Sequence, residues 1–190
     1  MKMSHGKAAV VLLLLCLAWT GASGKPAVAQ SPAAKNGIAL RTSGRRAVVV
    51  RERGRAHVLD LSKHIEAMRI EDASELFLAR RGEFIYLVLQ VCGLSKVPPD
   101  DRQCGAGIEC DLVWLKLDGG WHERDAKSER YESCWQPITS DEGPKVSGRR
   151  LVLVLDDLHD WVRREVDYDA DRPEEGLTFK FWAIPKKEAP

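Results

Sequence analysis

The sequence lacks the short motifs that mark the common enzyme classes. It contains no G-x-S-x-G nucleophile turn, no H-E-x-x-H zinc site and no C-x-x-C redox pair. It also lacks a charge excess, because 29 basic residues are matched by 28 acidic ones. A nucleic-acid-binding surface needs a clustered basic excess, so no nucleic-acid partner is expected. These absences favour binding over catalysis and give no reason to expect a cofactor.

The first 29 residues have the pattern of a secretory signal peptide. Lys2 and Lys7 precede an uncharged stretch, residues 8–19, and Ala27-Val28-Ala29 forms a small-residue cleavage site. The stretch is shorter than the roughly 20 apolar residues of a membrane span, and no later run approaches that length. We therefore predict cleavage before Gln30, export to the periplasm or beyond the cell, and no membrane span in the mature chain.

Four cysteines remain after cleavage, and an even number in an exported chain predicts disulfides. Their spacings of eleven, five and twenty-three intervening residues do not match a zinc site. If the strands around Gly119-Gly120 form a hairpin, Cys110 lies near Cys134, which leaves Cys92 to pair with Cys104. A tight turn at Gly119-Gly120 favours the alternative, in which Cys92 pairs with Cys110 and Cys104 with Cys134. The first pairing is preferred here.

The remaining chain is dominated by alternating or short continuous apolar runs separated by glycine turns, a pattern typical of antiparallel strands. We predict an all-β fold, an antiparallel sandwich or distorted barrel of about eight or nine strands. Residues 30–44 are expected to form a flexible lead-in, and residues 45–190 a single domain. Phe84–Val91 and Leu151–Leu155 are apolar on both faces, so both are predicted to be covered on each side. One short helix is predicted at Ser62–Met68.

A resemblance supports the exported β-rich interpretation. The segments "CGAGIE" at Cys104–Glu109 and "ESCW" at Glu132–Trp135, with Leu112, Leu115 and Leu117 between them, resemble small exported bacterial proteins of unassigned activity. The resemblance covers about thirty residues of the chain. It implies no catalytic residue.

Two acidic segments are candidates for chemistry. Asp167, Asp169 and Asp171 alternate as in the first half of a calcium loop, but Arg172 and Thr178 occupy the positions where that loop needs glycine and glutamate. A solvated acidic turn is the expected alternative. The segment "DDLHD" places Asp156, Asp157 and Asp160 around His159, an arrangement suited to a general base, although no nucleophile motif accompanies it and a polar bend is favoured.

Recognition residues are expected on a loop and among the aromatic side chains. The loop 93–103 is long and pinned by cysteines, and it carries the charged residues Lys96, Asp100, Asp101 and Arg102. The aromatic residues expected to be exposed are Trp121, Trp161 and Tyr168, whereas Trp114 and Trp135 are assigned to the core or the disulfide neighbourhood.

These observations predict an exported, non-catalytic binding module whose partner is an envelope or extracellular protein or a glycan. A hydrolase that uses paired carboxylates at strand ends, such as Asp118, Asp156 or Asp167, is the alternative from another class. A structural component of the envelope is a third possibility.

Overall fold

The computed structural model describes residues 38–96 and 107–185, and strands paired in antiparallel fashion make up most of both ranges. The N-terminal sheet contains β1 (Ile38–Ser43), β2 (Ala47–Glu52) and β3 (Arg55–Asp60), paired in that order. The central sheet contains β4 (Arg69–Arg81), β5 (Phe84–Leu94), β6 (Ile108–Leu117) and β7 (Glu123–Glu132), also in chain order. The C-terminal sheet contains β8 (Ile138–Thr139), β9 (Lys145–Ser147), β10 (Arg150–Asp157), β11 (Val162–Asp169) and β12 (Thr178–Ala183).

The strands of the C-terminal sheet follow the order β12-β11-β10-β8, and β9 also pairs with β10. A short 3-10 helix, Pro173–Glu175, connects β11 to β12. The all-β antiparallel prediction is confirmed. The central sheet ends in the edge strands β4 and β7, so the arrangement is not a closed barrel.

Hairpin turns lie where the glycines predict them. Between β2 and β3, Arg53 and Gly54 have φ angles of 48° and 81°. A two-residue hairpin with positive φ at both positions is the type I′ turn, whose twist matches that of the flanking strands. The turn after Arg81 likewise has Gly82 at positive φ, so the first two predicted hairpins are confirmed.

The central sheet is the middle layer of the fold. On β6, Val113, Leu115 and Leu117 pack in one apolar cluster with the N-terminal sheet, while Leu112 and Trp114 pack in a second cluster with the C-terminal sheet. Successive side chains of a strand point to opposite faces, so the continuous apolar runs of β5 and β6 follow from cover on both faces. The prediction for Phe84–Val91 is therefore confirmed.

The strands of the C-terminal sheet cross those of the central sheet at a steep angle. Along β11, Arg164 contacts Glu129 on β7, whereas Tyr168 packs against Phe77 on β4. The five residues from Arg164 to Tyr168 thus traverse the whole central sheet, since four steps of about 3.3 Å along the strand match three strand spacings. Residues at the β10–β11 hairpin therefore lie close to β7, where Arg164 contacts Glu129.

Several local predictions are wrong. The described residues contain twelve strands rather than eight or nine, and part of the expected lead-in forms β1. Leu151–Leu155 is covered on one face only, because Val154 is 42% exposed on the outer face of the C-terminal sheet. A continuous apolar run does not by itself distinguish a strand covered on one face from a strand covered on both faces.

The segment predicted as a helix, Ser62–Met68, is a turn followed by extended chain. The Arg46 side chain donates hydrogen bonds to the carbonyl oxygens of Ser62, Glu66 and Ala67. Backbone carbonyl groups need partners wherever they lie, and here an arginine from the N-terminal sheet replaces helical hydrogen bonding.

The preferred disulfide pairing is also wrong. Cys92 is bonded to Cys110, because β5 and β6 pair in a register that places these residues opposite each other. Cys134 is disulfide-bonded as well, and its partner lies outside the described residues, as does Cys104. The observed bond belongs to the alternative pairing. A disulfide that closes a loop of about the size of the Cys92–Cys110 loop stabilises the fold by roughly 3 kcal/mol in the chain-entropy account.

Candidate ligand-binding groove

A groove of about 800 Å³ follows the outer edge of β7, the last strand of the central sheet. Most of its lining comes from β7, the turn after β3, the loop after β7 and the β10–β11 hairpin, and the β1–β2 turn and β6 contribute one residue each, Arg46 and Asp111. Charged side chains of both signs line it, namely Arg46, Lys63, Arg130, Arg164, Glu66, Asp111, Glu129, Asp157 and Asp160. Since four cationic groups face five carboxyl groups, the groove is polar without a strong net charge.

The Arg130 cluster consists of Arg130 on β7 and Glu109 and Asp111 on β6. The two carboxylates are two residues apart, so they point to the same face of the sheet. Arg130 Nε lies 3.5 Å from Glu109 Oε2 and 3.3 Å from Asp111 Oδ1. Its Nη1 lies 3.3 Å from Glu66 Oε2 across the groove. One arginine therefore holds three carboxylates.

The polar atoms of the Arg130 cluster are only partly satisfied. Glu109 and Asp111 are each 2% exposed. Glu109 Oε1 accepts hydrogen bonds from Ser95 Oγ at 2.8 Å and from the Cys134 amide at 3.2 Å. By contrast, Glu109 Oε2, Asp111 Oδ2 and Arg130 Nε are buried without a hydrogen-bond partner. Buried polar atoms of this kind are uncommon and costly.

Burial raises the pKa of Asp111 from 3.8 to about 6. The Arg130 charge opposes this shift and the Glu109 charge adds to it. Desolvation outweighs the ion pair because the carboxylate lies away from water and lacks full hydrogen bonding. Asp111 thus exchanges its proton close to neutral pH, unlike an ordinary aspartate.

The Arg164 cluster lies on the opposite face of β7. Arg164 donates one hydrogen bond to Glu129 Oε1 at 2.7 Å and another to Asp157 Oδ2. The second oxygen of Asp157 accepts the backbone amides of His159 and Asp160. Burial raises the pKa of Glu129, while the hydrogen bond from Arg164 opposes the rise. This cluster is hydrogen-bonded at every contact with its arginine.

The Trp135 loop, residues 133–137, forms one rim of the groove. Ser133 Oγ accepts the backbone amides of Trp135 and Gln136 at 3.1 and 3.0 Å. The Cys134 amide is bound by Glu109, and the Cys134 side chain is disulfide-bonded. A β carbon on Gly107 would lie 2.2 Å from Cys134 Sγ, so only glycine fits there. Trp135, 38% exposed, is therefore presented on a fixed loop.

Two of the three aromatic residues expected at the surface are buried. Trp121 is 5% exposed and stacks on His57 at a centroid distance of 5.2 Å. Tyr168 is 2% exposed and packs in the second apolar cluster. Trp161 is 36% exposed in the β10–β11 hairpin. Trp135, assigned to the core or the disulfide neighbourhood, is 38% exposed but directly follows the disulfide-bonded Cys134, so the second alternative holds, and Trp114 is 1% exposed in the core.

The carboxylates of the calcium candidate are not brought together. Asp167 pairs with Lys180 at 2.9 Å, Asp169 with Arg172 at 3.4 Å, and Asp171 with Arg149. Separate cations hold the three side chains apart. Across residues 38–96 and 107–185, no group of three or more histidine, cysteine, aspartate or glutamate side chains is placed to hold a metal ion.

The remaining acidic candidates divide between the groove and the outer surface. Asp157, His159 and Asp160 line the groove, whereas Asp156 faces outwards and binds Arg163 at 2.7 Å. The hydrogen bond from Arg163 lowers the pKa of Asp156. At the β6–β7 turn, hydrogen bonds led by the His122 amide lower the pKa of Asp118 to about 2. Asp118 and Asp156 are thus poor proton donors.

Of the predicted recognition loop 93–103, the structure describes residues 93–96. Lys96 is exposed. Asp100, Asp101, Arg102 and the signal peptide lie outside the described residues, so the predictions made for them stay predictions.

Sequence reasoning missed most of the groove and the buried cluster beside it, namely the lining residues Asp111, Glu129, Arg130, Trp135 and Arg164 and, in the Arg130 cluster, Glu109. A signal for two of them was present in "IECDLVWLKL", where Glu109 and Asp111 continue the alternation of Val113, Leu115 and Leu117. Carboxylates at strand positions that otherwise face the apolar core are expected to be buried. A buried carboxylate in turn indicates a cation paired with it.

Comparisons with known proteins yield no relative. No family model matches the chain, and neither curated proteins nor solved structures give a match. Within the described ranges, no helix has the length and apolar character that a membrane crossing requires.

Proposed function

We propose that this chain is an exported, non-catalytic binding module that holds a glycan of the cell envelope or the extracellular space in the groove beside β7. The signal-peptide pattern and the disulfides support the exported part of the proposal, because disulfides persist in oxidising compartments. The groove supports the binding part, since its volume lies in the range of ligand sites.

The charge distribution favours a hydroxyl-rich, uncharged ligand over a strongly charged one. Arginine and lysine donors line the groove together with carboxylate acceptors. A polyanion would meet the five carboxyl groups, and a polycation would meet the four basic side chains. A sugar hydroxyl donates one hydrogen bond and accepts others, as the serine hydroxyl does, and can thus use both kinds of side chain.

The observation that carries the proposal is the fixed, exposed Trp135 at the rim. An aromatic face beside polar side chains provides the apolar contact that a sugar ring needs on one side while its hydroxyl groups are bound on the other. The disulfide at Cys134 and the Ser133 hydrogen bonds hold the loop in place before binding. Preorganisation of this kind reduces the entropy lost on association.

The test is a glycan array probed with the oxidised protein, followed by calorimetry with the glycans that bind. Trp135→Ala should weaken binding at least about 10-fold, as expected for an aromatic anchor. Trp182→Ala is the matched control, because Trp182 is 46% exposed on β12 and does not line the groove. Absence of binding to neutral and charged glycans alike contradicts the proposal, as does equal weakening by the two substitutions.

One observation favours a second function, glycoside hydrolysis with Asp111 as the general acid. A carboxyl group with a pKa near 6 retains a proton close to neutral pH, as a general acid must. Binding is favoured over hydrolysis because Asp111 is 2% exposed and engaged by Arg130. Reducing-sugar release from a bound glycan, abolished by Asp111→Asn, would establish hydrolysis. Unchanged glycan after prolonged incubation leaves the binding function.

A further inference from the structure

β12 is an outer strand of the C-terminal sheet and, among the described residues, pairs only with β11. Its side chains are mainly apolar and open to solvent, with Phe181 62% and Trp182 46% exposed. Its single charged residue, Lys180, is turned onto its own sheet, where it binds Glu165 at 2.7 Å and Asp167 at 2.9 Å. An edge strand of this composition lacks the charges that normally prevent pairing with another chain.

The edge strand β7 shows the usual protection. Its sequence, ERDAKSERYE, is mostly charged. The contrast between β7 and β12 marks β12 as the edge suited to pairing.

The backbone direction of β12 identifies the groups available for pairing. The Ile184 amide donates to the Trp161 carbonyl at 2.8 Å, so Ile184 directs its polar backbone groups towards β11. In an antiparallel strand this direction alternates with every residue. Phe179, Phe181 and Ala183 therefore direct their N–H and C=O groups outwards.

We propose that the protein forms a two-fold symmetric dimer in which β12 pairs in antiparallel fashion with β12 of a second copy, with Phe181 opposite Phe181. In this register Phe179 lies opposite Ala183 of the second copy. Each residue whose backbone N–H and C=O groups point outwards is thus paired with such a residue of the other copy. Three such pairs exchange two bonds each, giving about six backbone hydrogen bonds. The C-terminal sheets of the two copies then form one continuous sheet across the two-fold axis.

Side-chain complementarity supports the same register. Lys180 lies opposite Trp182 of the second copy on one face, so this register places no like charges directly opposite each other. The neighbouring register, with Lys180 on the two-fold axis, places two like charges opposite each other and is disfavoured. The strand is thus complementary to itself, and a closed two-fold dimer is the commonest form of homo-oligomer.

The experiment is sedimentation-velocity ultracentrifugation of the oxidised protein over a wide concentration range. The wild type should show a reversible monomer–dimer equilibrium. Phe181→Lys places two positive charges at the axis and should raise the dimer dissociation constant about 100-fold, because like charges at an interface cost several kcal/mol. Val58→Lys is the matched control, since Val58 is 66% exposed on β3, and should leave the equilibrium unchanged.

A charge-swap mixture separates loss of pairing from loss of folding. Phe181→Glu should also be monomeric, and mixing it with Phe181→Lys should restore a dimer, which only folded proteins can form. A wild type that stays monomeric at every concentration overturns the proposal. A dimer that persists in Phe181→Lys overturns it equally, because the interface must then lie elsewhere.

Discussion

The Arg130 and Arg164 clusters have the same composition, one arginine and two carboxylates, but they differ in bonding. Arg164 donates hydrogen bonds to Glu129 and Asp157. Arg130 only approaches Glu109 and Asp111 at 3.3–3.5 Å, and three polar atoms of the cluster are buried without hydrogen bonds. The Arg164 cluster joins two sheets as a scaffold, whereas the Arg130 cluster retains unused hydrogen-bonding capacity beside the groove.

The largest expected effect comes from removal of Arg130. Arg130→Ala leaves two carboxylates buried without their cation, so the free energy of unfolding should fall by about 3–5 kcal/mol. Urea denaturation at pH 7.5 measures the change. Arg164→Ala should cost less, because Asp157 keeps the amides of His159 and Asp160. A larger loss in Arg164→Ala would reverse the ranking of the two clusters.

Asp111→Asn should stabilise the protein at neutral pH. The folded protein holds the Asp111 proton more tightly than the unfolded chain does, since the pKa is raised to about 6. The contribution of Asp111 to stability is therefore greatest below about pH 4 and falls as the pH rises through 6. The variant should gain up to about 3 kcal/mol above pH 6, measured as unfolding free energy between pH 3.5 and 8.

Asp118→Asn is the control for Asp111→Asn, because its expected effect on stability at neutral pH has the opposite sign. Its pKa is lowered to about 2 by the hydrogen bond from the His122 amide and by Arg124. The stability that it contributes is present above the ordinary pKa and is lost as the pH falls through 2. Asp118→Asn should thus be less stable than the wild type at neutral pH. If Asp111→Asn also destabilises there, the account of the Arg130 cluster is wrong.

Exchange of each arginine for lysine tests the difference in hydrogen bonding with the charge conserved. Arg164→Lys loses a planar donor that spans two carboxylates, so it should cost about 1–2 kcal/mol. Arg130→Lys should cost less than about 1 kcal/mol, because the Arg130 Nε that approaches Glu109 and Asp111 at 3.3–3.5 Å has no hydrogen-bond partner to lose. Thermal unfolding of both variants decides the order, and equal losses would remove the distinction.

The smallest expected effect is that of Ser133→Ala. The substitution removes the acceptor of the Trp135 and Gln136 amides, so it should cost about 1 kcal/mol. Hydrogen exchange of those two amides should become faster, while amides of the Arg164 cluster, such as that of His159, keep their rates. Unchanged exchange at Trp135 would show that the Cys134 disulfide and the hydrogen bond from the Cys134 amide to Glu109 hold the rim without Ser133.

The strands and turns were predictable because they depend on local signals. The Arg53–Gly54 turn and the doubly covered run Phe84–Val91 follow from glycine chemistry and apolar pattern. The exposure of Val154 and the Cys92–Cys110 bond depend on which strands meet and in which register. Neither follows from a single strand's own sequence.

The groove was less predictable for the same reason. Arg130 and Glu109 are far apart in the chain and meet only when β6 pairs with β7 and the Trp135 loop folds back. Arg164 reaches Glu129 only because the C-terminal sheet crosses the central one. The resemblance of "CGAGIE" and "ESCW" to exported proteins stays a prediction, although Trp135 of the second segment lines the groove and Glu109 of the first binds the Cys134 amide.

The most direct test of the groove account is an NMR titration that follows the tryptophan indole N–H signals as a glycan from the array is added. The account predicts a saturable shift of the Trp135 signal together with the backbone amides of Ser128 and Arg130, while the Trp182 signal stays fixed. A shift at Trp182 with Trp135 unaffected, or saturable binding that moves no signal of the groove, would contradict the account.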